Sequence, residues 1–492
     1  MSSAQSGTVS QLIARAVLER SSVTFGLMGN GNAYFLDEIV RGGGQFIAVR
    51  HEAAAVTAAD TYYRASGHIA VASVTYGAGF TNTLTALTEA AMNRTPLVVV
   101  VGDIPTTGAR PWDVDQVALA AELGVRTITV GIDTATASVA RACEIALGER
   151  IPVIVAIPYD MVAVDAHAAR ELDWGYTPTV VSTDVAGLAE VSTLLASARR
   201  PLILAGQGAR HAQGQLHALA DRLGAVTATS AVAKGTFAGR DTDLGVCGGF
   251  SAPESATLIR DADVVLVVGA GLNQFTQAFG AAFGADAIIV QLDAQPQPTT
   301  PRVSQHIQVD AVVALDELLR LLTEHKVASP AGSPDAESRS EWTERARAAR
   351  GHEVGAEFAV DGLLDPSALA VALDEILPGE RLVVQDGGHF SGWAPMFWRV
   401  PAPAHFHMVG TAFQSIGLGL ASAVGANAAA AENETVVLVT GDGGMLMALA
   451  DLESVVRTAH SAVIVVFNDS AYGAEVHQYG TTGVHDLPMQ IG

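Results

Sequence analysis

Two acidic residues stand at strand-like ends in the stretch VLVTGDGGMLMALADLESVVRTAHSAVIVVFNDSAYG, residues 437–473. A β-branched run stops at Gly441-Asp442-Gly443, a helical pattern follows, and a second run stops at Asn468-Asp469. Consecutive strands of a parallel sheet place such ends side by side, which brings Asp442 and Asp469 together. Two carboxylates are hard oxygen ligands for an octahedral Mg²⁺, and the glycines opening the helix leave amides and a helix N-terminus to a diphosphate. Either dipeptide alone is an ordinary turn; the chemistry rests on their pairing across one helix. A third acid, Glu52, sits in HEAAAVTAADTYYRASG (51–67), where a strand gives way to an alanine-rich helix. Its plain reading is a first-turn charge favoured by the helix dipole. An apolar setting also disfavours the charged form of a carboxyl, a property used in general acid–base catalysis.

The elements that must position these residues show as an alternation. Apolar runs such as PLVVVVGD, PVIVAIP, DVVLVVGAG and TVVLVTGDGG are separated by helical patterns such as SAPESATLIRDA. That alternation marks βαβ units and parallel sheets covered on both faces. The expected fold is α/β with three domains, each a parallel sheet flanked by helices, over 1–172, 185–323 and 362–492. The seams are the polar, Pro-containing stretch 173–184 and the Ser-, Pro- and charge-rich stretch 324–361, which reads as an exposed linker. Ligands of such sheets lie outside the carboxyl ends of the strands, which directs attention to TYGAG, QDGGH, GDGG and FNDSAYG.

Composition narrows the partners. With 28 Lys plus Arg against 51 Asp plus Glu, the net charge of −23 repels phosphate backbones, so no nucleic-acid partner is expected. Cys143 and Cys247 fit no metal-ligand spacing, and two isolated thiols suit a reducing compartment. The N-terminus lacks a basic region followed by an apolar core, and the apolar runs are of strand length. The chain is therefore expected to be soluble, cytoplasmic and without a membrane partner.

Taken in order, these motifs resemble those of the thiamine diphosphate-dependent enzyme superfamily, in its acetolactate synthase-like branch of 2-oxo acid decarboxylases and carboligases. GDG followed by an Asn-bearing strand end is similar to the cofactor signature, and HEAAAVTAADTYYRASG to the glutamate motif. VTYGAGFTNTLTALTEAAMNRTPLVVVVGD, AKGTFAGRDTDLGVCGG, QDGGHFSGW and GTAFQSIGLGLASAVGA match further segments in sequence order. The resemblance implies pyrimidine-binding, middle and diphosphate-binding domains. It implies thiamine diphosphate and Mg²⁺, the cation held by Asp442, Asp469 and the Ala471 carbonyl. Gly443, Gly444 and Met445 would give amides to the diphosphate, with Gly387, Gly388 and His389 on its other side. Gly441, Ser415, Tyr472 and Gly473 complete the cofactor-contacting stretches, and Ile416 falls where the family places an aliphatic wedge. Glu52 would bond to the aminopyrimidine ring and so promote loss of the C2 proton. His51, His389 and His477 are candidates for proton transfer at the reacting carbon. The family's site lies between subunits, which implies a homodimer or homotetramer.

Three departures bear on the substrate. GAGLNQFTQ (269–277) holds no arginine where the synthases carry one for the carboxylate of a second 2-oxo acid, and losing a bidentate Arg removes that recognition. Trp112 and Asp113 replace a Phe-Gln pair, and Ala78 a proline. Trp112, Phe275 and Trp393 would suit a larger or less polar carbonyl acceptor. GNGN (29–32) lacks the third glycine of a dinucleotide loop and is expected at a strand end by the substrate entrance. Relative to the family, the third domain reads as shortened. The expected activity is decarboxylation of a 2-oxo acid with transfer of the activated aldehyde to a carbonyl acceptor or a proton. The alternatives are a flavin-containing oxidase, disfavoured by the altered middle-domain loop, and an inactive cofactor-binding scaffold, disfavoured by Glu52.

Overall fold

Strands without a polar face need cover on both sides. The computed structural model describes residues 6–167, 183–324, 338–358 and 362–491. β1 (Ser6–Thr8) precedes β2 (Val23–Gly26), β3 (Gln45–Ala48), β4 (Val71–Val74), β5 (Leu97–Asp103), β6 (Arg126–Thr129) and β7 (Pro152–Pro158). β2 to β7 form a parallel sheet in the order β3-β2-β4-β5-β7-β6, and β8 (Asp165–His167) pairs antiparallel with β1. β5 and β7 are buried at every residue, as their unbroken apolar runs require.

A second parallel sheet holds β9 (Pro201–Ala205), β10 (Val226–Thr229), β11 (Asp243–Val246), β12 (Val264–Val268), β13 (Ile288–Asp293) and β14 (Gln305–Gln308). Its order is β11-β10-β9-β12-β13-β14. The third sheet, in the order β16-β15-β17-β18, comprises β15 (Arg381–Gln385), β16 (Phe406–Met408), β17 (Thr435–Gly441) and β18 (Ala462–Phe467). β15, β17 and β18 run parallel. The α/β architecture of helix-flanked parallel sheets is as expected.

The chain forms two compact units. One joins Met1–Val180 to Pro378–Ser391 and His407–Gly492, uniting the first and third sheets; the other is Val181–Leu377 with Gly392–Phe406. Within the first unit, helix Glu52–Ser66 packs on helix Gly419–Ala429 so closely that a Cβ on Gly425 would lie 2.1 Å from the Ala58 carbonyl oxygen. Ala54, Ala55, Ala58 and Ala59 share one core with Leu420, Ala421 and Val424. The alanine run thus serves the close approach of two helices.

The stretch expected as an exposed linker also differs, although residues 325–337 lie outside the described residues. Helix Arg339–Ala348 opens with a Ser338/Glu341 capping box and buries Trp342 completely, its indole N–H donating to the Pro201 carbonyl at 3.2 Å. Arg339 donates to the carbonyls of Leu195, Ala196 and Ala198, satisfying the end of helix Leu188–Ser197. One apolar anchor and an arginine that caps another helix outweigh the polar composition. Among the described residues, no helix is long and apolar enough to cross a membrane. Cys143 and Cys247 are free and buried, and burial pushes their thiols up to about 11 and about 12.

Candidate active site

The β17–β18 register, with Gly441 opposite Phe467, brings the two acidic strand ends together. The Ser470 amide, at φ +56°, donates to Asp442 Oδ2 at 2.9 Å, and the Gly443 amide donates to Oδ1 at 2.9 Å. Asp469 Oδ1 accepts from the Ala471 amide at 3.2 Å. The segment after β18 is held by Tyr472, whose amide donates to the Met489 carbonyl, and by the Ile491 amide on the Ser470 carbonyl. This pairing passes by the Ala471 carbonyl.

A side chain would be crowded or strained at several of the surrounding positions. A Cβ on Gly444 would lie 2.8 Å from Asp386 Oδ2, and one on Gly473 would lie 2.5 Å from Asp469 Oδ2 and 3.1 Å from His389. A Cβ on Gly387 would meet the Ser415 carbonyl oxygen at 2.8 Å and Ile416 Cγ2 at 3.2 Å. Gly388 takes φ +146°, and Phe390 beneath Gly441 stacks on Phe467 with centroids 5.9 Å apart. Met445 sits half-buried against the shared core. Loops 386–389, 410–417, 441–445 and 469–473 thus converge. Among the described residues, no group of three or more His, Cys, Asp or Glu side chains forms a metal cage. Two carboxylates and a main-chain carbonyl suit a cation that fills its octahedron with phosphate and water oxygens. The residues present fit Mg²⁺ and a diphosphate.

His389 and His477 stack with centroids 4.4 Å apart and planes at 28°. Partial burial and then the neighbouring His477 hold the His389 imidazole below its ordinary value, against the pull of Asp469 and Glu475. His51 instead caps the Glu52 helix, its Nδ1 accepting the Ala53 amide at 3.2 Å. Glu52, half-buried in the first turn, accepts from the Asn82 side-chain amide at 2.9 Å. The loops bearing Asp442 and Asp469 give it no hydrogen bond among the described residues.

Other singled-out residues divide between the two units. GNGN follows β2, and Asn32 fixes it by accepting from the Gly29 amide (2.8 Å) and donating to Ser73 Oγ (3.0 Å). Trp112 is 62 % exposed. Asp113 is taken by Arg110 at 2.8 and 3.0 Å, a pairing that lowers its carboxyl below the usual range. The guanidinium lies over the rings of Tyr76 (4.2 Å) and Tyr159 (4.6 Å). In the other unit, Phe275 packs edge-on against Phe250 and Trp393 stacks on Phe397.

Two further acids lie inside quoted motif segments but were not among the candidate site residues. Asp386, at the end of β15, is 1 % exposed, and burial pushes it up to about 6 against the main-chain amides it accepts. Glu89, on helix Leu84–Met92, is 2 % exposed and likewise raised by burial. The available signals were an Asp closing the apolar strand RLVVQ and a lone acid in the apolar helix LTALTEAAM.

Comparison with known proteins agrees with this layout. The chain matches the models of the thiamine pyrophosphate enzyme N-terminal TPP binding domain over 7–123, the central domain over 188–320 and the C-terminal TPP binding domain over 386–487. It is 26 % identical over 488 residues to the acetolactate synthase isozyme 3 large subunit of Escherichia coli, covering 94 % of this chain and 82 % of that protein. It is 29 % identical over 497 residues to the sulfoacetaldehyde acetyltransferase of Rhodobacter capsulatus, covering 93 % and 82 %. The thiamine diphosphate-dependent 4-hydroxybenzoylformate decarboxylase of Rhodococcus jostii RHA1 shares the fold, with a TM-score of 0.80 at 21 % identity over 98 % of this chain and 90 % of that one. With both binding-domain models and the central one matched in order over the three sheets, the chain belongs to the thiamine pyrophosphate enzyme family, on its acetolactate synthase-like branch.

Proposed function

We propose that the protein is a thiamine diphosphate- and Mg²⁺-dependent enzyme that decarboxylates a 2-oxo acid and transfers the activated aldehyde to a carbonyl acceptor or a proton. The observation that carries this reading is the Ser470–Asp442 hydrogen bond, which ties two acidic strand ends together beside loops where a side chain would be crowded or strained. Asp442, Asp469 and the Ala471 carbonyl would hold the cation. The amides of Gly443, Gly444 and Met445 would take diphosphate oxygens, with Gly387, Gly388 and His389 opposite and Tyr472 and Gly473 closing the cradle. When bound, thiamine diphosphate supplies a carbon nucleophile and an electron sink for cleavage next to a carbonyl.

Glu52 would meet the aminopyrimidine and pass a proton to and from it, the role of a general acid–base. Ile416 would support the bound cofactor, and the stacked His389 and His477 would move protons at the reaction centre. Glu52 accepts from Asn82 and, among the described residues, from none of the loops bearing Asp442 and Asp469, which supports a site shared between two copies. The working unit is a homodimer, or a homotetramer built from it, in which Glu52 of one copy faces the diphosphate loops of the other. The arginine-free 269–277 loop and the aromatic Trp112, Phe275 and Trp393 favour an acceptor less polar than a second 2-oxo acid.

The test is CO₂ release by purified protein with thiamine diphosphate and Mg²⁺ over a panel of 2-oxo acids. Release from at least one acid, falling about 100- to 1,000-fold in Glu52→Gln with cofactor affinity retained, is expected. No release from any acid despite cofactor binding would overturn the catalytic reading.

A further inference from the structure

Three buried charged side chains grip the segment between β16 and helix Gly419–Ala429. At its entry, Arg64 Nη2 donates to the Met408 carbonyl at 2.6 Å. In its middle, Glu89 accepts from the amides of Ala412 (3.3 Å) and Phe413 (2.7 Å). At its exit, Asp386 accepts from the amides of Gly417 (3.1 Å) and Leu418 (3.3 Å), at the open N-terminus of the helix. The grips come from three different elements: helix Glu52–Ser66, helix Leu84–Met92 and the end of β15.

Between the grips the backbone is constrained. Gln414 takes φ +56°, and Gly410, at φ +76°, could not carry a Cβ, which would lie 2.1 Å from the Ser415 carbonyl oxygen. What this segment presents is Ile416, 36 % exposed and standing over Gly387. An exposed aliphatic on an unsupported loop samples many positions, whereas a functional side chain must be held within about 0.5 Å. Burying carboxylates is costly, and burial raises both Glu89 and Asp386 from their ordinary values, Asp386 to about 6. Gln or Asn would avoid that cost but would turn an NH₂ toward one of the two amides. Only a carboxylate is acceptor-only on both oxygens.

We infer that Glu89 and Asp386 are positioning residues, a two-acid clamp that fixes the 410–418 loop and thereby sets Ile416 for the cofactor. The inference rests on the cofactor reading proposed above. Its test measures amide hydrogen exchange over 411–418 in cofactor-free protein and the thiamine diphosphate Kd in Mg²⁺, for the wild type, Glu89→Gln, Glu89→Asp and Asp386→Asn. Both amide variants should exchange this segment at least about tenfold faster, and raise Kd about tenfold, at a nearly unchanged urea midpoint. Glu89→Asp, which keeps the charge, should recover part of both effects. Ile416→Ala should weaken cofactor binding without changing exchange.

In the wild type, the amides of Phe413, Gly417 and Leu418 should exchange more slowly than that of Gln414 between them. Equal exchange across these wild-type amides would overturn the clamp. So would wild-type exchange and Kd in Glu89→Gln, and both readings stand even if Asp386→Asn fails to fold. A wild-type protein that binds no thiamine diphosphate would sink the cofactor reading instead, leaving the exchange data to decide the clamp.

Discussion

At the scale of single residues, the two strand-end acids are not equivalent. Asp442 holds one amide on each oxygen, which fixes its orientation; Asp469 is exposed and holds one. Asp442→Asn must turn an NH₂ toward one of two main-chain N–H groups, which would dislodge the remaining oxygen proposed for the cation, so thiamine diphosphate affinity should fall about 100-fold. Asp469→Asn keeps an oxygen for the cation and removes one negative charge beside the diphosphate. Its Mg²⁺ affinity should fall about three- to tenfold, while thiamine diphosphate binds within about threefold of the wild type or tighter. Isothermal titration of each ligand checks both; equal losses in the two variants would contradict the asymmetry. Asp442 and Asp469 could be read from sequence because each sits in a short motif and one helix links them. Glu89 could not, because its partner Ala412 lies 323 residues away, and a lone acid in an apolar helix says nothing of what it holds.

At the scale of elements, the decisive contact is between helices Glu52–Ser66 and Gly419–Ala429. Gly425 lets them approach, since any Cβ there would strike the Ala58 backbone rather than a flexible side chain. Gly425→Ala should therefore cost about 1–3 kcal/mol of stability despite the better helix propensity of alanine. The urea midpoint of cofactor-free protein measures this, and an unchanged or raised midpoint would refute the packing argument. The strands were legible because an apolar run with no polar face has one kind of home. Helix Arg339–Ala348 was not, because its stability comes from Trp342 and Arg339 reaching other elements, which composition cannot show. The alanine run was read as a helix, but its purpose became visible only with its partner in place.

At the scale of the whole molecule, the proposed sharing of one site between two copies makes a strong prediction. Glu52→Gln and Asp442→Asn chains, each inactive as a pure homodimer, should regain activity when co-expressed, because a mixed dimer holds one site free of both changes. Random pairing predicts about a quarter of wild-type activity per chain, read as CO₂ release from the purified mixture. No recovery, with mixed dimers confirmed by mass, would mean that Glu52 serves the cofactor of its own chain. The first unit is also discontinuous: Met1–Val180 is completed only by Pro378–Ser391 and His407–Gly492. At about 5–20 residues per second of synthesis, Ala58 leaves the ribosome roughly 20 to 70 s before Gly425. For that interval the alanine face of the Glu52 helix lacks the helix Gly419–Ala429, while the middle sheet, contiguous from Pro201 to Gln308, can already assemble. The nascent protein is thus most exposed to aggregation early, and chaperone demand during translation is set by the part of the chain made first.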